Sequence, residues 1–434
     1  MSQEIMGLVK RDRHSYRDAF MNLLLFIAWI LLAFSCGVLG LWCVITVRLK
    51  LLLSRQPTVR AGLDLPEPEG SGGGSGGGSG SGGWPKLSII VPAHNEQRVI
   101  DVCATALRKQ NYPDFEIIFV LDRCTDETAR IIAAHAAADS RIKVIENEVC
   151  PEDWAGKCHA ARIGAEQAVG EWLLFTDADT EFDPDLARAA VALAGEQQAS
   201  LLSLLTTLTC KHWFERIVQP LASMTLVQLF PPGRSELGKR ARPFANGQFL
   251  LFARTWYETV GGHEAVKNDL LEDLAFARAV YHKGGVVCSF FSDGMLGCSM
   301  YGSYADFRNG WKRIFIEACK RKSSRLRKYG LQSIGAGVLA PGIQIATVIV
   351  AGGIWTIDMP LAIAILSVVL AGWIVQGLCL RTIYGLCGAP RWAVITYPWG
   401  SWIVGRMMLH AASDLKHRRP IRWGGREYVL EERK

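Results

Sequence analysis

The apolar positions of this 434-residue chain follow two regimes. Residues 20–47, 331–357 and 359–380 form runs without a charged residue, each long enough to cross a bilayer. A fourth apolar stretch, 392–412, holds Arg406 and several Trp, Tyr and Gly; it fits a crossing, re-entrant or interfacial segment. Between the first and second runs the pattern changes. Short apolar segments at 87–91, 116–121, 142–145 and 172–176 read as buried strands. Stretches at 99–110, 127–138 and 157–169 have helical periodicity. Strands alternating with helices predict an α/β domain, a mostly parallel sheet with helices on both faces. Ligands of such sheets bind at the carboxyl ends of the strands.

The same pattern divides the chain. A basic segment 1–19 precedes a transmembrane anchor 20–48. A linker 49–83 follows, whose residues 70–83 are only Gly and Ser, a flexible tether spanning roughly 20 Å. The α/β domain occupies 84–305, a basic amphipathic interfacial helix 306–330, a membrane region 331–412 and a basic tail 413–434. The first apolar run exceeds the usual signal-peptide core and lacks a small-residue cleavage site, so it is read as a retained anchor.

Charge sharpens this division. Lys and Arg number 48 against 41 Asp and Glu, a net charge of +7. Much of the excess lies in Arg308, Lys312, Arg313, Lys320, Arg321, Lys322, Arg325, Arg327 and Lys328, opposed there by Glu317. Apolar Trp311, Ile314, Phe315 and Ala318 fall between them at helical spacing, as suits a helix on anionic lipid headgroups. The adjoining apolar run makes lipid, and not nucleic acid, the expected partner. Basic residues flank the first run on both sides, while Lys416, Arg418, Arg419, Arg422 and Arg426 place the tail in the cytoplasm. The expectation is a multi-pass integral membrane protein with a cytoplasmic α/β domain. An even number of C-terminal crossings then favours an interfacial or re-entrant fourth stretch. Twelve cysteines without a Cys-x-x-Cys pair fit reduced thiols.

Candidate chemistry sits at strand ends. Asp177-Ala178-Asp179 closes the run 172–176. Two carboxylates so spaced offer oxygen ligands to Mg²⁺ or Mn²⁺ while leaving positions for phosphate oxygens. Such a cation would neutralise charge on a leaving diphosphate. Glu272-Asp273 opens a helix-like stretch about a hundred residues later. One of the pair suits a general base, although acidic residues also favour helix starts through the dipole. Gly156-Lys157 precedes a helix, where an ammonium and free N–H groups can meet phosphate. Gly261-Gly262-His263 supplies unusual backbone freedom. A Walker A loop and a His-Glu-x-x-His helix are absent from the sequence, and no Gly-x-Ser-x-Gly elbow joins a strand to a helix.

The order of these pieces resembles the family 2 glycosyltransferases, inverting enzymes with the GT-A fold. Segments 90–96 (Ile-Val-Pro-Ala-His-Asn-Glu), 122–128 (Asp-Arg-Cys-Thr-Asp-Glu-Thr), Gly156-Lys157, Asp177-Ala178-Asp179, 246–249 (Asn-Gly-Gln-Phe), Gly261-Gly262-His263 and Glu272-Asp273 carry the likeness, over about 84–327. Leu121 stands where many members have Asp. Segment 421–428 is similar to the Trp-Arg-Gly-Arg-x-Tyr tail of membrane members that glycosylate ceramide, hopanoids and carotenoids, with Gly424 in place of an Arg. The resemblance implies a nucleotide-diphosphate sugar donor, UDP-linked, and a membrane lipid acceptor. It assigns donor binding to Pro92, Asn95, Glu96, Asp122, Lys157 and Asp177, and a divalent cation to Asp179 with Asp177. Asp273 becomes the base, beside Glu272. Gln248, Gly262, His263, Trp311 and Arg313 fall on the acceptor and diphosphate side; the last two stand where relatives carry Gln-x-x-Arg-Trp, without a literal match. Two other readings compete: a processive polysaccharide synthase and a non-catalytic sugar-nucleotide-binding scaffold. The few apolar runs argue against the first, and intact Asp177, Asp179 and Asp273 against the second.

Overall fold

A computed structural model describes residues 2–55, 58–66, 83–235, 242–267, 269, 271–423 and 426–433. The Gly/Ser tether lies almost wholly outside the described residues. The rest falls into two units.

The first unit takes in 55–211, 222–326 and 410–434. Its strands are β1 (Leu87–Ala93), β2 (Phe115–Asp122), β3 (Ile142–Asn147), β4 (Trp172–Phe175), β5 (Thr180–Phe182), β6 (Leu201–Leu205), β7 (Thr207–Leu208), β8 (Gly233–Ser235), β9 (Leu250–Ala253), β10 (Val287–Phe291) and β11 (Leu296–Cys298). Eight form one sheet in the order β3-β2-β1-β4-β9-β6-β10-β8. The β3-β2-β1-β4 and β6-β10 pairings are parallel, whereas β9 runs antiparallel to both neighbours and β8 to β10. This is the mostly parallel, helix-covered sheet expected. The first four strands and three helices start and stop within two residues of their predicted limits.

Alternation along β1 explains the layering. Leu87, Ile89 and Val91 face a core shared with the helices Ile100–Arg108 and Leu186–Glu196. Ile90 faces the other way, onto Ala160, Ala161 and Ala165 of the helix Gly156–Gln167. Small residues on that helix let it lie close to the sheet: a Cβ on Gly164 would meet Ile90 Cγ2 at 2.5 Å. Registers of Ile90 against Ile118 and Phe175 bring the carboxyl ends of β1, β2 and β4 to one edge. A small second sheet, β5-β11-β7, places Cys298 opposite Thr180 at that edge.

The basic stretch departs from expectation. It is two helices, Tyr304–Ala318 and one starting at Ser323, divided by a turn in which Lys320 and Arg321 take φ of 58° and 52°. Glu317 is buried and pairs with Arg321 at 2.6 Å, so the acid interrupts the cationic stripe instead of facing solvent. The tail 413–434 is anchored to the sheet-bearing unit. Asp414 pairs with Lys312, Ser323 N donates to Glu432 Oε1 at 2.8 Å, and Arg433 N donates to Arg321 O at 3.0 Å. A short antiparallel pair, β12 (Ile421–Trp423) and β13 (Arg426–Tyr428), lies between these anchors.

The second unit takes in 1–54, 212–221 and 327–409. Three helices among the described residues are long and apolar enough to cross a membrane: Ala19–Ser54, Ser323–Gly353 and Met359–Leu386. Ala28, Ala351, Ile354, Leu361, Ala362, Ile365 and Val369 pack together between them. Phe20, Ile349 and Leu378 point outward with more than half their surface exposed, as side chains facing hydrocarbon would. The fourth apolar stretch forms a 3-10 turn, Arg391–Thr396, and the helix Tyr397–Lys416; it is not one of the three candidate spans.

Candidate active site

Lys157 is the centre of the strand-end cluster. It enters from the first turn of the helix Gly156–Gln167. Its ammonium lies 2.7 Å from Asp177 Oδ1 and 2.8 Å from Glu272 Oε1. One cation thereby joins two acidic motifs that are far apart in sequence. Burial alone would lower the Lys157 pKa, but the two carboxylates hold it well above the usual lysine range. Burial would likewise raise Glu272, yet Lys157, helped by Arg313, keeps it below the ordinary range.

Asp273 is held differently. Its Oδ2 accepts from Gly247 N at 2.8 Å and its Oδ1 from Leu274 N at 2.6 Å. Burial, then the Glu272 charge, raises its pKa to about 6. A carboxylate so tuned is mostly ionised near neutral pH and still a competent proton acceptor. Space beside Gly247 is tight. A Cβ there would stand 3.1 Å from Lys157 Nζ and 3.5 Å from Asp273 Oδ2.

Asp179 follows Asp177 at the end of β4. Burial and the neighbouring Asp177 charge raise it to about 7. Its Oδ1 is buried without a hydrogen-bond partner. An orphaned carboxylate oxygen beside a second carboxylate is the environment a divalent cation satisfies. Among the described residues no group of three or more His, Cys, Asp or Glu is placed to hold a metal alone. Such a cation would take its remaining oxygens from substrate or water. Glu96, half-buried, is raised by burial and by Asp177, which puts the 94–96 turn in the same field. Asn95 takes φ 57° and its Oδ1 accepts from Thr125 N at 2.8 Å, clasping the turns after β1 and β2. Pro92 sits in β1 opposite Val120.

Several residues expected to face a ligand are placed elsewhere. Asp122 is only 4% exposed and its oxygens already accept from Arg123 and from Asn147 Nδ2. Gln248 is buried, donating to Cys298 Sγ at 2.8 Å and accepting from Asn246 Nδ2. His263 is buried against Phe175 and Phe276, its Nδ1 2.8 Å from Tyr257 Oη, and burial lowers its pKa to about 3. It stays neutral and supports the Glu272 helix from behind. Gly262 serves this packing: at φ 55°, its missing Cβ would lie 2.9 Å from the Tyr257 ring. Trp311 is buried between Phe307 and Phe315, the i±4 stripe of its own helix. Arg313 does act on the cluster, through Glu272.

Sequence reasoning missed four side chains at the site: Arg123, Asn147, Cys298 and Tyr301. Burial holds the Cys298 thiol well above its usual range, reinforced by Asp179. Tyr301, likewise raised by burial, feels Arg313, Cys298 and Asp179. Asn147, a polar residue ending a strand, was the most legible of the four.

A mostly parallel sheet whose strand ends gather carboxylates around one lysine defines an α/β enzyme domain. Residues 88–261 match the family described as Glycosyl transferase family 2, and the chain carries a domain of that family. The chain is similar to a 4,4'-diaponeurosporenoate glycosyltransferase of Staphylococcus haemolyticus, 25% identical over 52% of this chain and 60% of the relative. It is also similar to a beta-monoglucosyldiacylglycerol synthase of Nostoc sp., 29% identical over 48% of this chain and 44% of the relative. A putative glycosyltransferase of Bacillus subtilis is 32% identical over 26% of this chain and 31% of its own length. The chain thus spans between about a third and 60% of these relatives. Among solved structures, a mannosyltransferase from Pyrobaculum calidifontis in complex with GDP-Man and Mn²⁺ aligns with a TM-score of 0.48 at 16% identity, over 89% of this chain and 98% of the other.

Proposed function

We propose that this protein is an inverting, metal-dependent glycosyltransferase that moves a sugar from a nucleotide-diphosphate donor, UDP-linked, to the hydroxyl of a membrane lipid at the cytoplasmic face. The observation that carries this reading is the Lys157 bridge, which joins Asp177 of the diphosphate motif to Glu272 beside the base. When bound, Mg²⁺ or Mn²⁺ held by Asp179 and Asp177 supplies positive charge to the departing diphosphate. Lys157 adds a fixed ammonium there. Asp273 takes the proton from the acceptor oxygen as that oxygen bonds to the anomeric carbon and the sugar–phosphate bond breaks; the nucleoside diphosphate leaves. A single displacement inverts the anomeric centre. Three candidate spans in the same chain, and relatives named for a carotenoid acid and a diacylglycerol glycolipid, support a lipid acceptor. Cations in and just after the turn between the two helices, Lys320, Lys322 and Arg325, suit anionic headgroups.

The test uses detergent-solubilised protein, labelled nucleotide sugars, extracted lipids and either cation. Label should enter an organic-soluble product, with EDTA and Asp273→Asn each abolishing transfer. Label in a high-mass polymer would instead indicate a processive synthase. Donor binding without transfer to any acceptor would sink the enzymatic reading.

A further inference from the structure

Cys298 ends β11, and backbone contacts fix it beside Asp179. It pairs with Thr180 across the small sheet, and the N–H of the next residue, Ser299, donates to Asp179 O at 3.4 Å. On the other flank Thr209 N donates to Cys298 O at 2.9 Å. The thiol is buried, and the transfer reaction derived above gives it no part.

A chain of side-chain hydrogen bonds decides which way that thiol serves. Leu204 O can only accept, so the Asn246 atom 3.1 Å from it is the amide nitrogen, Nδ2. The same Nδ2 donates to Thr206 Oγ1 at 3.0 Å and to Gln248 Oε1 at 3.1 Å. Gln248 Oε1 is thereby turned towards Asn246, which leaves Gln248 Nε2 to donate to Cys298 Sγ at 2.8 Å. An amide N–H cannot accept, so sulfur is the acceptor in that bond. The single thiol proton is left for another acceptor, and the group it meets is the Asp179 carboxylate. A main-chain carbonyl on β6 therefore sets, through Asn246 and Gln248, the hydrogen bond that Asp179 receives. The carboxylate still has Oδ1 without a hydrogen-bond partner. A buried network whose links are each satisfied holds its members in one arrangement.

We infer that Cys298 is a positioning residue for the cation site: its S–H holds the Asp179 carboxylate with Oδ1 turned to a divalent cation, while the sulfur itself stays outside the coordination shell. This rests on the metal-dependent reading above. Asn246 and Gln248 aim the thiol. Hard cations such as Mg²⁺ favour oxygen over sulfur, which suits a thiol that acts through a carboxylate.

The experiment is Mn²⁺ binding to the detergent-solubilised full chain with UDP or GDP, read as loss of the free Mn²⁺ signal in electron paramagnetic resonance. Wild type is compared with Cys298→Ala, Cys298→Ser and Gln248→Met, and the metal-free Tm of each is recorded. Cys298→Ala should weaken Mn²⁺ binding about 10–100-fold, the scale for partners that orient a metal ligand. Cys298→Ser keeps a group that donates one proton and accepts another, and should restore most of that loss. Gln248→Met keeps the thiol but removes the donor that aims it, and should weaken binding by a smaller factor. Unchanged Mn²⁺ affinity in Cys298→Ala overturns the inference, as does a Cys298→Ser affinity no better than that of alanine. Should the alanine variant not fold, the other two decide: serine must stay near wild type and methionine must fall below it. A sulfur-to-metal charge-transfer band when Co²⁺ replaces Mn²⁺ in wild type, lost in Cys298→Ser, also overturns the inference, since Cys298 would then be a ligand. Wild type that binds no Mn²⁺ with either nucleotide overturns the metal-dependent reading itself, and the inference with it.

Discussion

At the scale of single residues, the site depends on how charge is distributed among Lys157, Glu272 and Asp273. Asp273 sits at about 6 because of burial and the adjacent Glu272 charge. Only its ionised form accepts a proton, so transfer should rise with pH along a limb centred near 6. Glu272→Gln removes the neighbouring negative charge, lowers the Asp273 pKa and should move that limb to lower pH. A pH profile of kcat that keeps its limb in this variant would contradict the coupling. Asp273→Asn should cost about 10²–10⁴-fold in kcat, the usual contribution of a general base, with donor binding retained. These residues were legible in sequence because acidic pairs at a strand end and a helix start are local patterns. The structure buries His263, Gln248 and Trp311, which the resemblance put beside the ligand; a polar or aromatic letter does not reveal which way its side chain points. His263 is polar yet wedged between Phe175 and Phe276, and a ring so buried is a neutral packing element.

At the scale of elements, close approach and buried charge set the geometry that the site inherits. The helix Gly156–Gln167 carries Lys157 and lies on β1 and β2 through Gly164. Gly164→Ala would drive a Cβ to 2.5 Å from Ile90 Cγ2 and 3.1 Å from Val120 Cγ2. The expected cost is about 1–3 kcal/mol of overpacking, read as a lower Tm, with weaker transfer as Lys157 shifts. Asp139 links the helix Ile100–Arg108 to the start of β3, accepting from Arg141 Nη2 at 2.8 Å and Arg108 Nε at 3.4 Å. Arg141 holds its pKa down to about 2. A depressed folded-state pKa contributes stability above the ordinary carboxylate range, and that contribution is lost as pH falls towards 2. Asp139→Asn should lower Tm at neutral pH and flatten its dependence on acid; an unchanged acid slope would show the link to be idle. The early elements were readable because alternating strands and periodic helices repeat locally. The basic stretch was not, because its break depends on Glu317 turning inward to Arg321, a contact that a cationic stripe does not announce.

At the scale of the whole molecule, residues 410–434 belong to the sheet-bearing unit, held by Lys312–Asp414, Ser323–Glu432 and Arg321–Arg433 contacts. Deleting 413–434 should lower the Tm of that unit and expose it to protease near the Lys320 turn, whereas loss of a free tail would change neither. Hydrophobic pattern by itself determined the division into long apolar helices, three of them candidate spans, and an α/β domain, since run length and period follow from bilayer thickness and from helix and strand geometry. The same pattern placed Asp177, Asp179, Lys157 and Asp273 at strand ends and helix starts. Tertiary structure decided what those positions mean. It brought Lys157 between Asp177 and Glu272, buried Asp122 beneath Arg123, and turned His263 and Gln248 into supports. Those outcomes depend on contacts between residues far apart in the chain, and on which of two neighbours keeps its access to water, and neither is encoded in local periodicity.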